Sequence, residues 1–243
     1  MKRNIRQYAW AIALTLVITV FGTARATAQD PELAKALAAA ETQAKTVPTP
    51  TNYLILSWQY NRNARYQDSI GAAQEALKLQ PSFTEAWNNI AAGYGGLAMW
   101  DEAIAAARKA LQIEPDYQLA KNNLEWSLSQ KKAQADALAA AEAQVRSEPT
   151  PENYLNLSWN YDRNRRYRES IVACEQALKL KPDYAEAYNN IAAADNSLKI
   201  WDEAIRAGEQ ALKIKPDFPL ARNNLNWSLS QKRLQDAASS PKQ

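Results

Sequence analysis

Histidine is absent from all 243 residues. That removes the commonest general base and the commonest neutral metal ligand. A single cysteine, Cys174, leaves no intrachain disulfide and no thiolate metal cluster. Its spacing puts it on the inner face of a predicted helix, at a site where Ala73 and Ala107 stand elsewhere, so a buried, inert thiol is expected. No glycine-rich phosphate loop, nucleophile elbow or metal-binding helix motif occurs. Only six glycines are present, and the abundance of Ala, Leu, Gln and Lys favours helix over strand. The chain therefore reads as an all-α, non-catalytic protein with no cofactor and no metal. Two carboxylate pairs remain, Asp101-Glu102 and Asp202-Glu203. Each falls at the start of a predicted helix, where negative charge complements the helix dipole, and a structural role is expected.

The first residues read as an export signal. MKRNIR is basic, and Tyr8 to Phe21 is mostly apolar but too short to span a bilayer comfortably. Small residues follow at Ala24, Ala26 and Ala28, which places cleavage after Ala28 and the product in the periplasm or outside the cell. A retained signal anchor is the alternative; after cleavage no stable membrane span is expected. The stated charge of +3 includes Lys2, Arg3, Arg6 and Arg25, and residues 1–28 hold no acid. Without them 25 of the 29 basic residues face 26 acids, a net −1. The basic balance belongs to the signal, and no nucleic-acid partner is expected.

The organising stretch is Thr84 to Tyr117. Trp87, Ile90, Ala91 and Tyr94 share one helical face, a glycine-rich break follows (Gly93, Gly95, Gly96), and a second periodic run carries Trp100, Ala103, Ile104, Ala107, Ala110 and Leu111 until Pro115 ends it. This spacing resembles the tetratricopeptide repeat, a helix–turn–helix unit of about 34 residues, although Ala107 stands where that pattern prefers an aromatic residue. The resemblance implies a right-handed superhelical solenoid of about five repeats with capping helices. The expected division is a signal at 1–28, a capping helix at 31–47, repeats at 50–83 and 84–117, a degenerate third repeat at 118–150, repeats at 151–184 and 185–218, a closing helix at 219–235 and a disordered tail at 236–243. Asp30 and Thr49 are expected helix caps, and Ser82 with Glu85 has capping-box spacing. In the third repeat Glu125 replaces a small residue, and SQKKAQAD is either a tight turn, the favoured reading, or the middle of one long helix. Asp195 replaces the counterpart of Tyr94 and is expected to cap a shortened helix. A longer period lies over the first. Residues 36–131 align without a gap onto 137–232, a shift of 101, with roughly 60% identity, so the chain is a duplicated block.

In this family the concave groove is lined by first-helix positions flanking the packing residues. Carried over, these are Leu54, Trp58, Asn61 and Arg62 in the first repeat, Asn88 and Ala92 in the second, and Asn122, Trp126 and Gln130 in the third. The second half supplies Leu155, Trp159, Asp162 and Arg163, then Asn189, and finally Asn223, Trp227 and Gln231. Trp58 and Arg62, like Trp159 and Arg163, are four apart and share a helix face. Indole, guanidinium and amide together suit an extended peptide. Some cochaperones of the family clamp a C-terminal carboxylate with two lysines, an arginine and two asparagines. Here Leu54, Leu119, Asn123 and Trp58 hold four of those positions and only Asn89 fits, so that clamp is absent. The expected function is a cell-envelope scaffold binding a protein or peptide ligand, with oligomeric state open. A carbohydrate or cell-wall polymer module, and a regulatory subunit of an envelope enzyme, are the alternatives.

Overall fold

The computed structural model describes residues 30–239; the expected signal and cleavage position lie outside them. The described residues form eleven α-helices and no strand. In order they are α1 (Pro31–Thr46), α2 (Pro50–Arg62), α3 (Tyr66–Leu79), α4 (Thr84–Gly96), α5 (Trp100–Ile113), α6 (Gln118–Ser147), α7 (Pro151–Arg163), α8 (Tyr167–Leu180), α9 (Ala185–Leu198), α10 (Trp201–Ile214) and α11 (Pro219–Ser239). Four helical pairs result: α2–α3, α4–α5, α7–α8 and α9–α10. No helix among the described residues is long and apolar enough to cross a membrane.

A side-chain cap sets the start of three helices. Asp30 Oδ1 accepts from the Glu32 amide at 3.0 Å, Thr49 Oγ1 from the Asn52 amide at 3.2 Å, and Thr150 Oγ1 from the Asn153 amide at 3.1 Å, each ahead of a proline at the first helical turn. The capping box expected at Ser82 is not formed. Phe83 is the residue ahead of α4 and no side chain caps that end, because Ser82 sits one position too early. Each pair turns through one residue with positive φ, namely Ala64 (54°), Ala98 (55°), Arg165 (56°) and Lys199 (61°). A non-glycine residue there carries a cost on the order of 1 kcal/mol, which packing of the pair offsets.

That packing depends on small side chains. Ala73, Ala76, Ala107, Ala110, Ala177, Ala192 and Ala211 are fully buried, so paired helices approach closely. First helices touch the first helices of the neighbouring pair (α2 with α4, α7 with α9), whereas second helices make no such contact. The array therefore curves with its first helices on the inner side.

The third repeat is where the structure departs from expectation. Residues 118–147 are one continuous 30-residue helix, α6, and not a helical pair with a turn. The reason lies at Glu125. The equivalent residues of the four paired first helices are Ser57, Ala91, Ser158 and Ala192, all at most 1% exposed beneath the second helix. A carboxylate buried there without a partner costs several kcal/mol, roughly, and folding back is prevented. Glu125 stays exposed. The stretch 129–137 contains neither glycine nor proline, and Lys132 pairs with Asp136 one turn on at 2.6 Å. The helix simply continues. Asn226 holds the same position in α11, which also stands alone and runs to Ser239, four residues beyond the expected end of the closing helix. The tail expected at 236–243 is thus helical through 239.

The second half of α6 packs on α7 as α1 packs on α2. Leu138, Ala141, Leu157 and Ala173 form one cluster; Leu37, Ala40, Leu56 and Ala72 form its twin. The Tyr60 hydroxyl donates to Glu41 at 2.9 Å and Tyr161 to Glu142 at 3.0 Å. The two blocks also meet where Arg165 pairs with Glu102 at 2.6 Å and where the Gln134 amide donates to the Arg163 carbonyl. Asp195 does not cap a shortened helix. It is buried at 4% exposure inside α9, which runs on to Leu198, and burial pushes its carboxyl up to about 6.

Candidate functional site

The inner face is built from α2, α4, the first half of α6, α7, α9 and α11. On α2 the Arg62 guanidinium lies 4.8 Å from the centroid of the Trp58 ring, and on α7 Arg163 lies 4.7 Å from that of Trp159. The four-residue spacing on a helix brings each pair together. Both arginines are exposed and Trp159 is 52% exposed. Among the described residues no carboxylate pairs with either arginine. By contrast Arg65 pairs with Asp68 and Glu41, Arg165 with Glu102, and Arg166 with Glu169 and Glu142.

Asparagines tie successive inner helices together. Asn61 donates to the Asn89 carbonyl at 3.3 Å, Asn123 to Asn88 Oδ1 at 2.9 Å, and Asn224 to Asn189 Oδ1 at 3.0 Å. Asn190 donates to Ser158 Oγ at 3.0 Å. In α9 Asn196 donates to the Asn224 carbonyl, and its own Oδ1 accepts from Ser228 at 2.6 Å. Asn88 and Asn189, expected as groove contacts, are only 7% and 8% exposed and serve as these ties instead. Leu54 and Leu155 likewise turn into the core, packing on the clusters around Ala76 and Ala177. The doublets Asn88-Asn89, Asn122-Asn123, Asn189-Asn190 and Asn223-Asn224 were the sequence signal for this ladder, since the second member of a doublet reaches back to the preceding helix.

The remaining expected residues divide. Trp126 stands at 43% exposure with its edge on Trp100 (ring centroids 5.1 Å apart, planes at 86°) and its ring over Gly95. Trp227 has Asn196 where Trp126 has Gly95, and is 57% exposed. Asn122 accepts from Gln118 at 2.8 Å and stays exposed, as does Asn223, while Gln130 and Gln231 are half-buried. Asp162 replaces Asn61 beside the second Trp–Arg pair; burial pushes its carboxyl up to about 6, against the opposing influence of nearby Ser170. Cys174 is fully buried and its thiol is pushed up to about 12 by that burial. The carboxylates at the starts of α5 and α10 pair with cations: Asp101 with Lys131, Asp202 with Lys232 and Glu203 with Arg206.

Residues 151–184 match the family model for the tetratricopeptide repeat. No curated protein matches the chain. Several solved structures resemble it in outline. One chain of the APC/C heterotetramer Cut9–Hcn1 is 19% identical over 82% of this chain, at TM-score 0.38, and the match spans 46% of that longer chain. The peptide-binding tetratricopeptide repeat protein YrrB is 17% identical over 77% of this chain and 98% of its own, at TM-score 0.37. The repeat domain of P58(IPK) is 18% identical over 86% of this chain and 63% of its own, at TM-score 0.42. The pair α7–α8 occupies the matched segment and is a tetratricopeptide repeat, and α2–α3, α4–α5 and α9–α10 restate its small, buried contact residues in register.

Proposed function

We propose that the chain is a non-catalytic scaffold of the cell envelope that holds an extended segment of a partner protein along its inner face. The repeat architecture is that of a protein–protein interaction scaffold. One observation supports this reading of the site: two Trp–Arg pairs on the first helices, stacked at 4.8 and 4.7 Å, whose exposed arginines form no ion pair among the described residues. Aromatic and arginine side chains supply the largest share of energy at peptide-binding surfaces, because they bring stiff contact area and forked donors. The asparagine ladder beneath holds the inner helices in fixed relation, so these groups are presented on a rigid support.

The test is affinity capture from an envelope extract by the chain and by a Trp58→Ala, Arg62→Ala, Trp159→Ala, Arg163→Ala variant whose fold is verified by circular dichroism. A protein retained by the parent and lost by the variant is the expected result. Equal retention by both forms moves the site off the inner face. Retention of glycan fractions with no protein overturns the reading in favour of a polymer-binding module.

A further inference from the structure

We propose that the two Trp–Arg patches act as a matched pair of anchors that grip one acidic partner segment at two points, one anchor in each block. The proposal rests on the inner-face reading above and adds the ligand's charge and valency to it.

The arginines carry the argument. Stacking on the indole restrains each guanidinium and covers its weakly hydrated face, leaving the N–H edge to a planar acceptor such as a carboxylate. Neighbouring arginines are already neutralised by ion pairs within the chain: Arg65 beside Arg62, and Arg165 and Arg166 beside Arg163. Of the arginines at these two helix ends, Arg62 and Arg163 are the ones with no ion pair among the described residues. They are related by the 101-residue repeat and share the Trp–Arg stack, while Asp162 stands beside the second pair where Asn61 stands beside the first. The Trp–Arg stack common to both offers a carboxylate the same forked donor at each anchor.

A lone exposed anchor binds weakly, because solvent screens it and the partner must be ordered around it. Two anchors on one frame behave differently. Once the first is engaged, the second meets its carboxylate at a high effective concentration, which raises affinity by about 10²–10⁴-fold when the connecting segment can span the gap. The α6 rod joins the blocks without a break. Its 30 residues set a span on the scale of about 45 Å at 1.5 Å per residue.

Fluorescence anisotropy tests this with the full chain and two defined probes. The single-headed probe is a labelled peptide of four glutamates around one phenylalanine. The two-headed probe joins two such peptides by glycine–serine linkers of stepped length. The single-headed probe is expected to bind twice per chain, and the two-headed probe once, at least tenfold tighter at its best linker length. Either Arg62→Gln or Arg163→Gln, both exposed and tolerable to the fold, is expected to abolish the gain and to halve the single-headed stoichiometry. A single-headed stoichiometry other than two overturns the proposal. So does the absence of a gain at every linker length, survival of the gain in Arg62→Gln, or equal binding of a glutamine version of the probe. If the extract experiment shows capture that depends on the Trp–Arg residues while the two-headed probe shows no gain, the two-anchor proposal falls and the inner-face reading stands. If neither responds to those residues, both fall.

Discussion

A Cβ built on Gly95 would lie 2.6 Å from Trp126 Cζ3, closer than real Cβ atoms come to a neighbour. The glycine in α4 is therefore the seat of the tryptophan in α6, and Trp126 in turn sets its edge on Trp100 at 5.1 Å. Gly95→Ala is expected to destabilise the first block by about 1–3 kcal/mol, as overpacking does. Urea unfolding followed by tryptophan fluorescence measures it. Gly71 offers the control, since nothing lies within 4 Å of its added Cβ; Gly71→Ala is expected to stabilise by about 0.5–1 kcal/mol through backbone entropy and helix propensity.

Stability of the second block should fall as pH rises. Asp162 and Asp195 have carboxyls pushed up to about 6 by burial, above their ordinary value of 3.8. Between those values the folded state holds more protons than the unfolded chain, so lowering pH through 6 towards 4 favours folding. Groups facing Asp195 include Glu203, Arg206 and Glu175. Asp195→Asn is expected to raise stability near pH 7.5 by about 2 kcal/mol and to flatten the pH dependence. Thermal unfolding of parent and variant at pH 5 and pH 7.5 reads this directly; a parent more stable at the higher pH contradicts it.

Asn123 and Asn88 form one rung of the ladder, 2.9 Å apart with Asn88 buried. Asn123→Ala leaves a buried acceptor without its donor and is expected to cost about 1–3 kcal/mol. Removing both residues should cost less than the sum of the single changes. A double-mutant cycle in urea with no coupling energy would show that the rung is not made in solution.

The middle of α6 is the mechanical link between blocks, and the linked pairs are expected to unfold as one array. Lys132→Gly with Ala133→Gly removes about 1 kcal/mol per residue of helix preference from that link. Calorimetry is expected to show a single heat-absorption peak in the parent resolving into two in the variant. One unchanged peak would mean that the Glu102–Arg165 pair and Gln134 couple the blocks without help from the helix.

The helical pairs were legible because their contact residues recur: Trp87, Ile90 and Ala91 in α4 have counterparts in Tyr188, Ile191 and Ala192 in α9, and small residues at helix crossings leave few other ways to pack. The continuity of α6 is the second of the two readings that SQKKAQAD allows, and its cause is in view at Glu125. The period of the neighbouring repeats argues for a folded-back pair, but burying Glu125 is the stronger effect, and one unfavourable contact outweighs the period. The roles of Asn88 and Asn189 depend on how far apart successive first helices lie, which is set by packing between repeats and is invisible within any one repeat. Trp58–Arg62 and Trp159–Arg163 needed only helical geometry, and their stacking followed.

The α6 helix makes the two blocks a measured assembly. A folded-back third pair would have continued the coil, so that doubling the block deepened one curved cradle. A continuous helix instead carries the chain onward, so that the second block starts afresh on the far half of α6. Lengthening such a chain by another rod and block would add reach by a constant step, like divisions on a ruler, while each division kept its own Trp–Arg mark.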